Sequence, residues 1–288
     1  MPFCHGFGFH FREVKDLNKV KSFKALWGME GSLESQFERI AAAGYDGVES
    51  PIPDDLEKVL GIPAEEKQFR GLLERYNLEY IAMVFTTGED HAESFREQVE
   101  RAASYNPLLI NSHSSRDSMP FGEQAAYFEK AQTVEQRLGI PVGHETHRGR
   151  AMFTPWTTSA LLREFPGLKL TSDFSHWVCV CESLLEDQQE NLKLAFERTL
   201  HIHSRVGYAQ GPQVPHPGAL EYVDELNAHE AWWQQIIQDR AKSGTPLTFT
   251  PEFGPPAYMP RLPFTNQPVA DLWEVCLWMK QRFEQLLK

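Results

Sequence analysis

An alternation repeated along the chain constrains its fold more than any other feature: a short apolar run, a polar loop, then an amphipathic stretch of helical period. The expected strands are residues 3–9 with aromatics at alternate positions, "YDGVES" ending at Glu49, "LEYIAMVF", "PLLINSHS" ending near His113, the start of "GIPVGHETHRGRAMFTP", "LKLTSD", "TLHIHSRV" and "PLTFTPEF". Between and after them lie the expected helices. In "SLESQFERIAAAG", Ser32 caps the first turn, Leu33, Phe37 and Ile40 share a face, and Gly44 ends the helix. "AEEKQFRGLLERYN", "DHAESFREQVERAASY" capped by Asp90, "GEQAAYFEKAQTVEQRLG", "TTSALLREFPG", "CESLLEDQQENLKLAFE", "DELNAHEAWWQQIIQDRAKSG" and "VADLWEVCLWMKQRFEQLL" follow. Eight strands alternating with eight helices predict an α/β fold, a single (β/α)8 TIM barrel occupying residues 1–288. A doubly wound open sheet is the alternative, but it has no reason to stop at eight units, and no GxGxxG follows the first strand.

The length of 288 residues fits one such barrel. With 28 Lys and Arg against 40 Asp and Glu, the net charge of −12 argues against nucleic acid as a partner. No apolar run is long enough to span a membrane. Cys4, Cys179, Cys181 and Cys276 form no CxxC and read as reduced thiols, and "MPFCHGFGFHF" lacks the pattern of a signal peptide, so a cytoplasmic protein is expected.

A barrel of this kind carries its active site at the C-terminal ends of the strands. Glu49, His113, Glu145 with His147, Asp173 with His176, His201 and His203 with Arg205, and Glu252 all fall there; strand three, ending in Met83 and Phe85, is the exception. Each has a plainer reading: a solvated carboxylate for Glu49, a polar loop for His113, a helix cap for Asp173, a packed core histidine for His201, a turn for Glu252. Together they are too many coincidences. Carboxylates converging at the end of apolar strands repel one another unless a cation joins them. Glu145, Asp173, His203 and Glu252 offer three carboxylates and one imidazole, which suits one divalent metal ion, Mn²⁺ first, with Mg²⁺, Co²⁺ or Zn²⁺ as alternatives.

Glu145, then Asp173–Phe174–Ser175–His176, then His201–Ile202–His203, then Glu252 resembles the xylose-isomerase-like TIM-barrel superfamily of sugar phosphate isomerases and epimerases, over essentially the whole chain. "GYDGVES" is similar to that family's second strand. The resemblance implies a metal-dependent isomerase or epimerase acting on a sugar, sugar acid, sugar phosphate or polyol through proton transfer, with a dehydratase or lyase on the same site as the alternative. It implies that Glu145 and Glu252 are metal ligands and also the acid and base, and that His176 and Arg205 contact substrate oxygens. Further candidates around the substrate are Glu49, His113, His147, Arg148, Trp177 and Phe9 as apolar walls, and His216 as a loop residue or second-metal ligand. Arg148 and Arg205 are also candidate partners for an anionic substrate. An endonuclease IV-like nuclease ranks lower, because strand three offers no histidine and Val214 stands where that enzyme's aspartate would. A non-catalytic sugar-binding barrel is the remaining reading. The resemblance also implies a homodimer.

Overall fold

The computed structural model describes residues 20–288. Eight parallel strands close into a barrel in chain order: β1 Lys21–Ala25, β2 Gly47–Pro51, β3 Glu79–Phe85, β4 Leu109–His113, β5 Val142–Glu145, β6 Leu170–Ser172, β7 Thr199–His203 and β8 Thr248–Thr250. Closure is made by β8 against β1, with Lys21 opposite Thr248 and Ser22 opposite Phe249. The expected TIM barrel is therefore the observed fold.

The helices form the outer ring: α1 Leu33–Ala42, α2 Pro53–Leu60, α3 Glu66–Tyr76, α4 His91–Ala103, α5 Phe121–Leu138, α6 Pro155–Glu164, α7 Phe174–Cys181, α8 Gln189–Arg198, α9 Val223–Ser243 and α10 Leu272–Gln285. The predicted caps do their work. Ser32 accepts from the Ser35 N–H, and Asp90 from the N–H groups of Ala92 and Glu93. Asparagine or glycine in the left-handed region ends α2, α3, α5 and α9, at Gly61, Asn77, Gly139 and Gly244.

Three expectations need correction. The barrel's first strand is β1, "KSFKA"; residues 3–9, including Phe9, lie outside the described residues. A short helix, α2, follows β2 and begins at Pro53, where the missing N–H is harmless. The helix expected over residues 181–197 is two elements: α7 stops at Cys181, Glu182 and Leu185 take positive φ, and α8 starts at Gln189.

Strand residues alternate between the helix layer and the barrel interior. Phe23, Ile81 and Leu109 form their own buried cluster, an apolar floor inside the barrel. Gly47 is required at that level, because a Cβ there would lie 2.3 Å from the Phe23 ring and 2.5 Å from the Glu79 carbonyl. Toward the C-terminal end the interior turns polar, with Glu49, Asn111, Glu145, His201 and His203 all buried.

Candidate metal centre and active site

Four adjacent strand ends deliver the central group. Glu145 is the last residue of β5, and His203 the last of β7. Asp173 follows β6 directly and caps α7. Glu252 lies two residues beyond β8. One ligand atom from each comes within 4.8 Å of all the others. His203 Nδ1 lies 3.0 Å from Glu252 Oε2, 3.7 Å from Glu145 Oε1 and 4.0 Å from Asp173 Oδ2. Donors ~2 Å from a common ion stand ~3–4 Å apart, so the spacing suits one cation.

Hydrogen bonding agrees. His203 Nδ1 and Glu145 Oε1 are buried and make no hydrogen bond, though each faces the other ligands. Burial pushes the Asp173 carboxyl up to about 6, against the pull of Arg205 and His203 and with help from Glu252 and Glu145. Burial opposes a charge on His203, yet Glu252, Glu49 and Glu145 together hold its imidazole well above the usual histidine range. Both displacements describe a pocket with a surplus of negative charge. Three oxygens and one nitrogen, two of these atoms without partners, fit a divalent metal ion.

Arg205 is part of this group. Its Nη2 donates to Asp173 Oδ2 and, at 2.7 Å, to His176 Nε2, and lies 3.6 Å from Glu252 Oε2. Ser175 donates to the other Asp173 oxygen through its N–H and its hydroxyl. The guanidinium also lies 4.9 Å from the centre of the Tyr258 ring.

Around this centre, His113 Nε2 stands 2.7 Å from Glu145 Oε2, and Asn111 Nδ2 donates to the same oxygen at 2.9 Å. The rings of His147 and His176 are 3.9 Å apart. Burial, and then the neighbouring His113, push His147 down to about 3, so its ring is neutral. Glu49 lies one step deeper, between His201 and His203.

Glu49, His113, His147, Arg205 and Glu252 line a cavity of about 220 Å³. Its other wall is apolar, from Trp27, Leu60, Met83, Phe85 and Tyr258. The lack of an ionisable residue at the end of β3 thus has a structural counterpart: Met83 and Phe85 make that wall. Of the predicted residues, His176 sits behind the cavity against Arg205. Arg148 lies over Tyr258, 5.3 Å from the ring centre.

Besides His176, the predicted substrate contacts Trp177 and His216 do not reach the cavity. Trp177 is fully buried in the core, its ring 5.0 Å from Phe174 and its Nε1 donating to the Met152 carbonyl. His176 and Trp177 are neighbours on a helix, so they point in directions ~100° apart, and only His176 faces inward. His216 lies in the loop after β7, packed 5.5 Å from the Trp278 ring and accepting from the Gly218 N–H. Sequence reasoning also missed Asn111, Trp27 and Tyr258. Asn111 had a signal: it shares a strand face with His113. The other two lie in loops with no pattern to mark them.

No helix among the described residues is long and apolar enough to cross a membrane. No curated protein sequence matches this chain. Solved structures do. A D-allulose 3-epimerase from Methylomonas sp. superposes with a TM-score of 0.60 at 15% identity, covering 93% of this chain and 98% of its own. A mannonate dehydratase from Streptococcus suis gives 0.61 at 11% identity, covering 93% of each chain. A xylose isomerase-like barrel protein from Mycobacterium smegmatis, solved in complex with magnesium, gives 0.58 at 12% identity and covers 93% of this chain and 96% of its own. At such identities the likeness is one of fold. The sequence profile of the xylose isomerase-like TIM barrel matches residues 37–207, more than half of the chain, and the chain belongs to that family.

Proposed function

We propose that this protein is a divalent-metal-dependent isomerase or epimerase that moves a proton at the carbon beside the carbonyl of a sugar or polyol. The observation that carries this reading is the convergence of Glu145, Asp173, His203 and Glu252 within 4.8 Å at the barrel mouth, under a cavity of about 220 Å³. The oxygen-rich set favours Mn²⁺, with Mg²⁺, Co²⁺ and Zn²⁺ as alternatives. When bound, the ion supplies a Lewis acid for negative charge developing on the substrate oxygens. The approach of Glu145 from β5 and of Glu252 from beyond β8 supports a reading in which one takes a proton and the other returns one. The 2.7 Å contact between His113 and Glu145 supports a role for His113 in relaying the proton that Glu145 removes. His147 and the apolar wall hold the rest of the substrate and exclude water.

The substrate is read as uncharged. Arg205, the cation lining the cavity, is already committed to Asp173. Dehydration is the second reading, since the same proton abstraction followed by loss of a neighbouring hydroxyl gives that outcome; the likeness to a mannonate dehydratase supports it.

The test is exchange of substrate hydrogen in D₂O. With Mn²⁺ and a panel of neutral ketoses and cyclic polyol ketones, deuterium should enter beside the carbonyl of at least one compound, and Glu145→Gln should abolish it. Uptake that is undiminished in Glu145→Gln, or absent across the panel, defeats the reading.

A further inference from the structure

The deepest polar layer of the barrel is a closed set of hydrogen bonds centred on Glu49. We propose that Glu49 is a positioning residue that selects which ring nitrogen of His203 faces the metal, an inference that rests on the metal centre proposed above.

Glu49 is fully buried on β2. Its Oε2 lies 3.2 Å from His201 Nε2, and its Oε1 lies 3.0 Å from His203 Nε2 and 3.1 Å from Asn111 Nδ2. An ionised carboxylate only accepts hydrogen bonds. Both histidines must therefore carry their hydrogen on Nε2. For His201 this leaves Nδ1 as an acceptor, and Thr248 Oγ1 lies 2.6 Å away to donate to it. For His203 it keeps the Nε2 hydrogen on Glu49, so a hydrogen on Nδ1, the atom that faces Glu145, Asp173 and Glu252, is the one a metal displaces, and the Nδ1 lone pair then points at the metal position. The donors run one way, from Thr248 to His201 to Glu49, with His203 entering from the other side.

Asn111 extends the device. Its amide has two hydrogens, and they reach Glu49 Oε1 and Glu145 Oε2, at 3.1 and 2.9 Å. One side chain thus spaces the carboxylate of β2 from that of β5 and turns Glu145 Oε1 toward the metal position. A carboxylate behind a ligating imidazole fixes its orientation and raises its basicity, and removing such a partner costs ~10–100-fold in metal affinity.

Glutamine at this position is the informative change. Its shape is kept, but its amide NH₂ is a donor aimed at one of the two histidines. Asn111 and His203 both donate to Oε1, so the glutamine oxygen stays there and its NH₂ faces His201, which accepts it on Nε2 and moves its hydrogen to Nδ1, toward the Thr248 hydroxyl. His203 keeps its Nε2 hydrogen but loses the full carboxylate charge behind its ring, which lowers the basicity of the nitrogen that faces the metal.

The experiment titrates the full-length protein with Co²⁺ in the absence of substrate, by competition with a chromogenic chelator, for the wild type, Glu49→Gln and Thr248→Val. Circular dichroism and melting in chelator confirm that each variant is folded. One equivalent of Co²⁺ is expected in all three. Affinity should fall ~10–100-fold in Glu49→Gln and less, in the same direction, in Thr248→Val. With ¹⁵N-labelled histidine and diamagnetic Zn²⁺, wild-type His203 should show a protonated Nε2. If Glu49→Gln does not fold, Thr248→Val and the histidine spectrum carry the test. Affinity in a folded Glu49→Gln within twofold of the wild type overturns the proposal and leaves the metal centre standing. A second equivalent lost in Glu49→Gln overturns it too, making Glu49 a ligand. A wild type that binds no Co²⁺ overturns both the proposal and the metal centre.

Discussion

His203 Nδ1 and Glu252 Oε2, from adjacent strand ends, stand 3.0 Å apart and both residues are buried. Around them four buried carboxylates, Glu49, Glu145, Asp173 and Glu252, share two cationic groups, Arg205 and a protonated His203. Without a metal the site therefore holds more negative charge than it can balance. Glu252→Gln removes one of those charges while keeping the shape. Its stability in chelator should stay within ~1 kcal/mol of the wild type, because one lost ion pair is offset by relief of carboxylate repulsion. Turnover should fall by ~10²–10⁴, the contribution of a positioned acid or base. Denaturant melts in chelator and steady-state rates with Mn²⁺ measure the two effects; a large loss of metal-free stability would contradict the charge surplus.

Arg205 is 1% exposed and donates to Asp173, so it is the cation fixed in the fold itself. Arg205→Met leaves Asp173 buried without that partner. Breaking one side of a buried pair costs ~3 kcal/mol. A divalent ion bound to Asp173 supplies positive charge from the other direction, so saturating Mn²⁺ should recover part of the deficit. The measurable consequence is a larger metal-induced rise in melting temperature for Arg205→Met than for the wild type. An equal rise in both would show that Arg205 and the metal do not share Asp173.

The barrel was legible because its strands are bounded apolar runs and its helices carry capping residues that work locally, as at Ser32 and Asp90. The first strand was not, because "KSFKA" places two lysines in five residues. Lys24 is nevertheless buried, donating to the Ala25 carbonyl and lying beside Cys276 of α10, a tertiary setting that no local pattern announces. α2 was hidden by Pro51 and Pro53, which read as loop although Pro53 starts the helix. The break after Cys181 uses no glycine or proline; Glu182 and Leu185 take the left-handed conformation themselves. In the site, a carboxylate at the end of an apolar strand is conspicuous because it needs compensation, and that argument alone singles out residues the fold gathers together. Direction is what sequence order conceals, as at Trp177, which faces the core beside an inward-facing His176. Neutral partners such as Asn111 carry no charge to draw notice.

Gly143 sits two residues before Glu145, and a Cβ there would lie 2.5 Å from Thr171 Oγ1 and 2.9 Å from the Thr171 backbone nitrogen. The side chain could rotate away, but the nitrogen belongs to β6, so Gly143→Ala must push β5 from β6. Overpacking of this kind costs ~1–3 kcal/mol. Asp173 lies two residues beyond Thr171, so the same displacement separates two of the four metal-facing groups. Chemical denaturation should show the loss of stability, and Co²⁺ titration a weaker affinity with unchanged stoichiometry. Destabilisation with intact affinity would mean that the strands accommodate the methyl group below the site.

His229 on α9 gives the fold a dependence on pH. The imidazole is fully buried; its Nδ1–H donates to the Glu225 carbonyl at 2.8 Å and its Nε2 accepts from the Gly207 N–H at 3.4 Å. A proton on Nε2 would set two donors against each other. Burial pushes the ring down to about 4 from its ordinary 6.5, with the Glu225 bond opposing only in part. Between those values the unfolded chain binds a proton that the folded chain refuses. Unfolding free energy therefore rises with pH in this window, is complete above about 6.5, and falls as the pH drops toward 4, by ~3 kcal/mol in all. Glutamine offers an amide donor and acceptor but does not titrate. His229→Gln should be the less stable protein at neutral pH, and the gap to the wild type should narrow by ~2 kcal/mol on acidification to about pH 4.5. Denaturant unfolding of both proteins across this range measures the gap; a constant difference would show that His229 gains its proton without disturbing the fold.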